Sequence, residues 1–305
     1  MYIGVVIVTY NRLEKLKITL DLFDKQTRKP TYIIVVNNNS TDGTRDFLEQ
    51  WSNATNTGYK REIVNLDKNL GGSGGFYHGL VQAEKEHAEW VWVSDDDAFP
   101  DKDAIECAYG YLSNNEDKIN RISAICGKVL NFGNIDFYHR RSWVRGSFAS
   151  KQIVSTKDDY DKNEFEINCF SYVGTIINIS KMRQAGLTEK DYFIWYDDTE
   201  HSMRLSKVGK IICVPSITVY HDTGTTNDGL SWKTYYGCRN YILALKRHFP
   251  NIFYTELIIL IIKAILCPIK GKKIQESRVR LCGIFDALRN KQGIHSVYKP
   301  GWKPE

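Results

Sequence analysis

Three consecutive aspartates at residues 95–97 follow the apolar run Trp-Val-Trp-Val at residues 90–93. Side chains at positions i and i+2 of an extended backbone point to the same side, so Asp95 and Asp97 can face one ligand together. Divalent cations such as Mg²⁺ and Mn²⁺ favour carboxylate oxygens and commonly bridge to phosphates. A solvated acidic turn would explain a lone Asp-x-Asp, but the position directly behind an aromatic-rich strand favours a metal site.

A second acidic cluster, Trp-Tyr-Asp-Asp-Thr-Glu at residues 195–200, leads into a helix predicted over residues 199–207. Carboxylates in the first turn of a helix are stabilised by the helix dipole, which is the structural explanation for the cluster. The functional alternative is a general base that deprotonates an acceptor hydroxyl. Trp195 and Tyr196 favour this alternative, because aromatic rings stack on the apolar faces of sugars.

His221 follows the apolar, strand-like residues 211–220. A single histidine is usually structural or merely exposed, but an imidazole at a strand end can also serve as a metal ligand. Because the chain already carries the aspartate triplet, His221 is a candidate third ligand.

A glycine-rich run, Gly-Gly-Ser-Gly-Gly, occupies residues 71–75 between a predicted strand and a predicted helix. Glycines let a backbone approach a ligand closely, and a following helix N-terminus favours an anion. The run lacks the Lys-Ser/Thr of a P-loop, and no G-x-G-x-x-G follows the first strand, which disfavours a nicotinamide dehydrogenase. An anion-binding loop and an ordinary flexible loop both remain open.

The elements that position these residues alternate between short apolar runs and amphipathic stretches, which predicts an α/β fold with a mostly parallel sheet. Strands are expected at residues 3–8, 33–36, 62–66, 90–93, 122–130, 170–179 and 211–220. Asn11 is a candidate N-cap for the helix after the first strand, with Glu14 three residues later. Residues 131–168 show no clear period, and we expect a hairpin or an acceptor loop there.

Polar residues gather at the ends of the predicted strands in four places, namely residues 9–12, 37–39, 67–69 and 94–97. Ligands of open α/β sheets bind beyond the carboxyl ends of the strands. We therefore expect one edge of the sheet to carry the active site.

Charge and cysteine content narrow the class of protein. The formal charge of +5, from 41 Lys and Arg against 36 Asp and Glu, is compatible with anionic ligands or an acidic membrane surface and does not indicate nucleic-acid binding. Seven cysteines without a C-x-x-C pair argue against a disulfide framework and favour a reducing compartment. Residues 2–8 have the pattern of a core strand rather than a signal peptide, so we expect a cytoplasmic protein.

The composition changes near residue 225, where we divide the chain into residues 1–225 and a helical C-terminal region, residues 226–305. The apolar run at 257–262 is interrupted by Lys263 and falls short of the roughly 20 residues that cross a bilayer. Basic residues follow it, namely Lys270, Lys272, Lys273, Arg278 and Arg280. Residues 251–280 can be a peripheral contact with an anionic membrane or a buried helix with a solvated basic tail, and both interpretations stay open.

Together these motifs resemble the family 2 glycosyltransferases of the GT-A fold, which is a Rossmann-like mixed sheet flanked by helices, from residue 1 to about residue 240. The resemblance is carried by Val8-Thr9-Tyr10-Asn11-Arg12, Asn39-Ser40-Thr41-Asp42-Gly43-Thr44, Asp95-Asp96-Asp97, Asp197-Asp198 and Tyr235-Tyr236 with Arg239-Asn240. Within that family, the segments 69–76, 95–97 and 195–200 look most similar to the galactofuranosyltransferases. Residues 1–225 would then be the nucleotide-sugar-binding and catalytic domain.

The resemblance also implies roles for individual residues. Donor binding would fall to Thr9, Tyr10, Arg12, Asn37, Asn69, Gly74, Asp95 and Asp96. A divalent cation, Mn²⁺ or Mg²⁺, would be held by Asp95, Asp97 and His221. Asp198 would be the catalytic base, and the acceptor would contact Trp195, Tyr196, Asp197 and Glu200.

One position departs from the family pattern. Many members end the second strand with an aspartate that contacts the nucleotide base, whereas this chain has Asn37. An asparagine amide can still accept a hydrogen bond from the imide N–H of uracil while donating to a carbonyl. UDP-sugars and dTDP-sugars therefore both remain candidate donors.

The function that the resemblance implies is an inverting transfer of galactofuranose from UDP-galactofuranose onto a polysaccharide or lipid-linked glycan, as in cell-wall and other polysaccharide biosynthesis. Such an enzyme would work in the cytoplasm, at the inner face of the plasma membrane if residues 251–280 contact lipid. The alternatives are a rhamnosyltransferase that uses dTDP-rhamnose, a nucleotidyltransferase that releases diphosphate, and a catalytically inactive nucleotide-sugar-binding protein.

Overall fold

A computed structural model of the chain describes residues 1–54, 58–221, 229–268 and 274–304. The strands in this part of the chain are β1 (Ile3–Thr9), β2 (Tyr32–Asn37), β3 (Lys60–Asn65), β4 (Trp90–Asp95), β5 (Phe99–Pro100), β6 (Ile122–Asn131), β7 (Asn134–Ile135), β8 (Arg140–Arg145), β9 (Ser150–Val154), β10 (Phe165–Ile167), β11 (Cys169–Phe170), β12 (Thr175–Asn178) and β13 (Lys210–Tyr220). The α-helices are α1 (Leu13–Asp24), α2 (Thr44–Ser52), α3 (Gly71–Ala83), α4 (Ala104–Asn114), α5 (Lys157–Tyr160), α6 (Ile179–Ala185), α7 (Asp197–Val208), α8 (Trp232–His248), α9 (Phe253–Ile265) and α10 (Ile274–Leu288).

The main sheet is mixed and mostly parallel, with the strand order β10-β13-β6-β12-β4-β1-β2-β3. The strands β4, β1, β2 and β3 run parallel, and β6 runs parallel to β13, whereas β12 is antiparallel to both of its neighbours. All seven residues of β1 are buried, as expected for a parallel strand that helices cover on both faces.

Two apolar cores lie on the two faces of this sheet. Side chains alternate across β1, so Val5 and Ile7 enter one core while Val6 and Val8 enter the other. The first core takes its helical side chains from α1, α2 and α4, and the second takes them from α3, α6 and α7. The predicted α/β architecture is therefore confirmed.

The register of the parallel strands aligns the polar edge that the sequence predicts. Thr9 pairs with Asn37, and Asn37 pairs with Asn65. Asp95 pairs with Val8, next to Thr9. A row of polar side chains therefore crosses the carboxyl ends of β4, β1, β2 and β3, where ligands of such sheets bind.

Residues 131–168 contain the expected hairpin, because β8 and β9 pair antiparallel and join β11 in a second, three-stranded sheet. Trp143 of β8 lies in a third core with Met203 of α7, Leu245 of α8 and Phe253 of α9. The C-terminal helices thereby attach to the small sheet and to α7. The domain boundary predicted near residue 225 falls in 222–228, outside the described residues, and stays a prediction.

The single strand predicted over residues 170–179 is wrong. The segment forms β11 in the small sheet and β12 in the main sheet, separated by Gly174, whose φ is +64°. A Cβ atom at Gly174 would lie 2.7 Å from Val219, so this turn requires glycine. A prediction from the hydrophobic pattern cannot locate such a break, because the apolar run is continuous through it.

No single helix in residues 1–54, 58–221, 229–268 and 274–304 is long and apolar enough to cross a membrane. One pair, Trp232–His248 with Pro250–Ile265, reaches the required length and composition only when its members are combined, and they meet at a bend of 113°.

Candidate active site

The aspartate triplet lies where β4 ends. Asp96 and Asp97 follow the strand in a turn that leaves both side chains buried. The Asp96 carboxylate accepts a hydrogen bond from Thr9 Oγ1 at 2.8 Å, and its backbone carbonyl accepts one from Thr19 Oγ1 at 2.7 Å. Thr9 and Asp96 therefore hold the end of β1 against the segment after β4, and the donor-binding role predicted for them stays a prediction.

Asp95, Asp97 and His221 converge as a candidate metal site. One ligand atom of each residue lies within 4.8 Å of the others, and His221 Nε2 is 3.3 Å from Asp97 Oδ1. The backbone N–H of His221 donates to the carbonyl of Leu130 at 2.8 Å, which fixes the imidazole at the end of β13. His221 Nδ1 is buried and has no hydrogen-bond partner within the described residues. Two carboxylates and an imidazole with an unused nitrogen fit Mn²⁺ or Mg²⁺.

The electrostatics of the two carboxylates also fit a cation. Burial alone raises the pKa of Asp97, but the hydrogen bond from His221 and the charge of Arg12 outweigh it and hold that pKa well below its usual value. Arg12 Nη1 lies 2.7 Å and Lys15 Nζ lies 3.0 Å from Asp97 Oδ2. Burial and the negative charge of Asp97 instead raise the pKa of Asp95 to about 7. A cation between these carboxylates would offset their repulsion.

The loop between β1 and α1 is bonded to the neighbouring loop between β2 and α2. Asn11, whose φ is +52°, accepts a hydrogen bond from the Thr41 N–H at 2.7 Å. The Asp42 carboxylate accepts one from the Leu13 N–H at 3.0 Å. The prediction that Asn11 caps α1 is therefore wrong, because Asp42 of the adjacent loop provides the cap. This arrangement leaves Tyr10 39% exposed, where a nucleotide can reach it.

The Asn37 side chain is buried and already paired. Its Oδ1 accepts from the Ser40 N–H, and its Nδ2 donates to Asn65 Oδ1, both at 2.9 Å. An asparagine amide has a second hydrogen and a second lone pair that can still serve a nucleotide base. Asn37 thus shapes the β2–α2 loop, and its contact with a base stays a prediction.

The glycine run is the start of α3 and not the loop predicted from the sequence. Gly71 has a φ of +73°, and a Cβ atom there would lie 1.9 Å from the carbonyl oxygen of Phe193. Gly74 is buried, and its Cβ atom would lie 2.4 Å from the Leu70 side chain. The run therefore serves close packing of α3, and the donor contact predicted for Gly74 stays a prediction.

Two asparagines fix the start of α3. Asn69 Oδ1 accepts a hydrogen bond from the Gly71 N–H at 2.8 Å. Asn38, buried directly after β2, accepts from the Leu70 N–H and donates to the Gly71 carbonyl, both at 2.8 Å. Asn69 and Asn38, which is one of the polar residues predicted at the end of the second strand, therefore shape this part of the site, and the donor-binding role predicted for Asn69 stays a prediction.

Asp197 and Asp198 open α7, and the negative charge of Asp95 is among the charges that act on Asp197. Burial and the charge of Asp198 raise the pKa of Asp197 to about 8, so the surroundings of Asp197 favour its protonated form. Burial also raises the pKa of Asp198, and the charge of Arg141 opposes that rise. Asp198 is the more exposed of the two, and its Oδ1 accepts from the N–H and the hydroxyl of Thr199. Asp198 is thus the candidate base.

Three residues just before α7 have positive φ angles, namely Phe193 (67°), Trp195 (64°) and Tyr196 (68°). Such conformations cost of order 1–3 kcal/mol each and persist only where the surroundings impose them. Asn240 of α8 imposes them here, because its Nδ2 donates to the carbonyls of residues 192, 194 and 195 at 2.8–2.9 Å. The strained segment holds the Trp195 ring 46% exposed, where it can stack on a sugar.

Tyr196 points into an aromatic cluster. Its ring centroid lies 6.3 Å from that of Trp143 and 5.5 Å from that of Tyr241. Tyr196 therefore links the segment before α7 to the small sheet and to α8, and its contact with an acceptor stays a prediction.

Glu200 lies within a cluster of basic side chains. Its carboxylate is fully buried and bonded to Arg204, to Arg247 Nη1 at 2.7 Å and to His248 Nε2 at 3.2 Å. Basic side chains occupy the Glu200 oxygens, and the acceptor contact predicted for Glu200 stays a prediction. Burial raises the pKa of Glu200, but the hydrogen bond from His248 and the charge of Arg204 outweigh it and lower the pKa to about 2.

The variant Glu200→Gln is expected to lower the free energy of unfolding by about 3 kcal/mol, because the remaining buried charges lose their partner. Since the folded pKa is depressed, the stabilisation by Glu200 is complete above the unfolded value of 4.5 and is lost as the pH falls towards about 2. Urea unfolding at pH 7 and pH 3 measures both effects. The control Glu166→Gln, which breaks an exposed pair with Lys210, should cost less than about 1 kcal/mol. Equal losses at the two positions would contradict this role for Glu200.

A second group of possible ligands, Cys282, Asp286 and His295, lies in the C-terminal region. The His295 Nδ1 accepts hydrogen bonds from the backbone N–H groups of Val297 at 3.1 Å and Tyr298 at 2.9 Å. The ring proton of neutral His295 is therefore on Nε2, the nitrogen that faces Asp286. This group stabilises the packing of the C-terminal segment and does not resemble a metal site.

Residues 4–184, more than half of the chain, match the family model of Glycosyl transferase family 2. The chain belongs to this family. Galactofuranosyltransferase GlfT1 of Mycobacterium tuberculosis is 28% identical over 206 residues, which cover 67% of this chain and 64% of that relative. The chain therefore spans less than two thirds of that relative's length. The dTDP-rhamnosyl transferase RfbF of Shigella flexneri is 22% identical over 301 residues, covering 94% of this chain and 96% of the relative.

Solved structures share the fold. S. aureus TarS 1–349 in complex with UDP-GlcNAc matches with a TM-score of 0.59 at 15% identity, over 94% of this chain and 81% of that one. The mannosyltransferase PcManGT from Pyrobaculum calidifontis, in complex with GDP-Man and Mn²⁺, matches with a TM-score of 0.59 at 16% identity, over 95% and 87% of the two chains. At such identities the likeness shows the fold alone, and the predicted GT-A fold with its C-terminal helices is confirmed.

Proposed function

We propose that this family 2 enzyme is a metal-dependent, inverting hexosyltransferase that moves galactofuranose from UDP-galactofuranose onto a polysaccharide or lipid-linked glycan. The observation that carries the proposal is that Asp95, Asp97 and His221 converge, while the charge of Asp95 acts on Asp197, the neighbour of the candidate base Asp198. The proposal assigns the leaving diphosphate to the first group and the acceptor hydroxyl to Asp198. The galactofuranosyltransferase relatives support the choice of sugar.

The reaction is a single displacement at the anomeric carbon of the donor. Asp198 takes the proton from the acceptor hydroxyl while that oxygen forms the new bond and the bond to the leaving phosphate breaks. Trp195 holds the sugar face, which keeps donor and acceptor aligned. A divalent cation bound by Asp95, Asp97 and His221 would supply electrophilic stabilisation of the leaving diphosphate. No covalent intermediate is needed, and the anomeric configuration inverts.

The identity of the donor can be tested by measuring which nucleotide binds. With Mn²⁺ or Mg²⁺ present, UDP should raise the melting temperature more than dTDP, and UDP-galactofuranose should be turned over with release of UDP. Stabilisation by dTDP and turnover of dTDP-rhamnose would favour rhamnosyl transfer, which the dTDP-rhamnosyl transferase relative also supports. Binding of nucleotide without turnover of either donor would favour an inactive binding protein.

We also propose that the C-terminal region contacts an anionic membrane, which places the enzyme at the inner face of the plasma membrane, beside a lipid-linked acceptor. The helix α9 buries Phe253 and Leu257, but it leaves an apolar stripe exposed, namely Tyr254 (74% exposed), Ile258 (56%), Ile262 (50%) and Ile265 (54%). The basic residues that would complement acidic lipids include Lys270, Lys272 and Lys273, which lie outside the described residues.

Replacing Lys270, Lys272 and Lys273 together with glutamine is expected to weaken vesicle binding by about 3 kcal/mol, since each lysine near an acidic surface contributes about 1 kcal/mol. Sedimentation with vesicles of phosphatidylglycerol and phosphatidylcholine at low salt measures the loss. A matched triple variant of Lys25, Lys118 and Lys157, which are exposed elsewhere, should bind like the wild type. Equal binding by both triple variants would count against a basic membrane contact.

A further inference from the structure

Lys233 brings a positive charge from the C-terminal region into the candidate active site. It is the second residue of α8 and is partly buried. Its Nζ lies 6.0 Å from the ring centroid of Trp195 and 5.8 Å from that of Trp232. Asp95 and Asp97 are among the charges that act on this ammonium. Lys233 therefore lies over the exposed Trp195, and the candidate metal ligands are near enough for their charge to act on it.

The Lys233 ammonium has no ion-pair partner in the described residues, where no carboxylate oxygen lies within 4.0 Å of it. The other cations near the triplet differ in this respect, because Arg12 and Lys15 are both bonded to Asp97. A phosphate between the candidate metal ligands and Lys233 would therefore supply a negative charge that no side chain of the described residues supplies there.

The stability of α8 does not explain why a lysine occupies position 233 in the first turn of that helix. A cation in the first turn of a helix is opposed by the helix dipole at a cost of about 0.3–1 kcal/mol, and this first turn holds no acidic residue. Burial and the charge of Arg12 lower the pKa of Lys233, so its surroundings disfavour the charged form. An anion that binds beside Lys233 would stabilise the charged form of the lysine.

We propose that Lys233 binds the outer phosphate of the donor's diphosphate and neutralises the charge that develops there as the glycosidic bond breaks. In that step the bonding electron pair goes to the phosphate oxygen, and the acceptor proton goes to Asp198. Lys233 stays protonated throughout and acts by charge alone. This role rests on the proposed function, and it makes the C-terminal helices part of the catalytic site.

The test uses Lys233→Gln, the charge-preserving Lys233→Arg, and the control Lys246→Gln, which removes an exposed lysine from the last turn of the same helix. Calorimetric titration with inorganic pyrophosphate and Mn²⁺ should show at least roughly tenfold weaker binding for Lys233→Gln, and binding near that of the wild type for the other two variants. The kcat of Lys233→Gln should fall by about 10²-fold. Its melting temperature should change little, since the ammonium has no ion-pair partner in the described residues and its two ring contacts are long.

The outcomes separate this inference from the proposed function. If Lys233→Gln binds pyrophosphate and turns over donor like the wild type, the inference is overturned and glycosyl transfer stands. If pyrophosphate binding depends on Lys233 but the wild type turns over no sugar nucleotide, the proposed function fails and the diphosphate contact stands. Failure of the wild type to bind pyrophosphate, or equal losses in Lys246→Gln, would overturn the inference as well.

Discussion

Replacing Asp198 with asparagine is expected to lower kcat by about 10²- to 10⁴-fold while UDP affinity stays close to that of the wild type. Asparagine keeps the size of the side chain but cannot take the acceptor proton. The bonds from Thr199 to Asp198 Oδ1 orient the carboxylate, and its partial exposure leaves it open to an acceptor. Initial rates at saturating donor, together with calorimetric titration of UDP, measure the two parts of this prediction.

Asp197→Asn is the matched control for the choice of base. Burial raises the pKa of Asp197, so its surroundings favour the protonated form, which an amide resembles. We therefore expect a smaller loss of kcat than in Asp198→Asn. Because the base must be ionised, the rate should fall as the pH drops through the raised pKa of Asp198. Turnover near the wild-type rate in Asp198→Asn would show that another group removes the proton.

Removal of the divalent cation is expected to have the second large effect. Chelation should reduce transfer by about 10³-fold or more, because a Lewis acid on the leaving group contributes several kcal/mol. Asp97→Asn should show the same loss and need higher Mn²⁺ for the activity that remains, since Asp97 lies among the three converging ligands. Rates measured against free Mn²⁺ and Mg²⁺ test both statements.

Asp158→Asn, which changes an exposed carboxylate in α5, is the control for the loss of one negative charge. It should leave both the rate and the Mn²⁺ dependence unchanged. Full turnover of the wild type in the presence of chelator would instead mean that Arg12, Lys15 and the other basic groups suffice without a metal.

The polar edge of the sheet could be predicted because strand register follows from the apolar runs. Once the first four strands are parallel, Thr9, Asn37 and Asp95 must end side by side. His221 joins them because β13 is also parallel to β6 and ends at the same edge. The second acidic cluster was recognisable because acidic and aromatic residues together are uncommon in a helix start that serves stability alone.

Contacts made by helix faces and by distant residues could not be predicted in this way. Lys15 and Lys233 read as ordinary surface lysines in the sequence, and only the packing of α1 and α8 brings Lys15 to Asp97 and Lys233 to the Trp195 ring. Glu200 shared the pattern of its neighbours, while its partners Arg247 and His248 lie on another helix.

The role of the glycine run could not be predicted from the sequence, since glycine permits both a loop around a ligand and a close contact between a helix and a sheet. Gly71 and Gly75 serve the second purpose, because side chains there would collide with Phe193 and Val8. Composition alone does not distinguish these uses, since both require the absence of a Cβ atom.

The most direct measurement of inverting, metal-dependent glycosyl transfer is NMR of slow donor hydrolysis, in which water replaces the glycan acceptor. With Mg²⁺ and the donor chosen by nucleotide binding, the wild type should release a nucleoside diphosphate and a free sugar whose first-formed anomer has the inverted configuration. The same signals should be absent with Asp198→Asn. Release of a nucleoside monophosphate, or a first-formed anomer of retained configuration, would contradict direct displacement at the anomeric carbon with Asp198 as base.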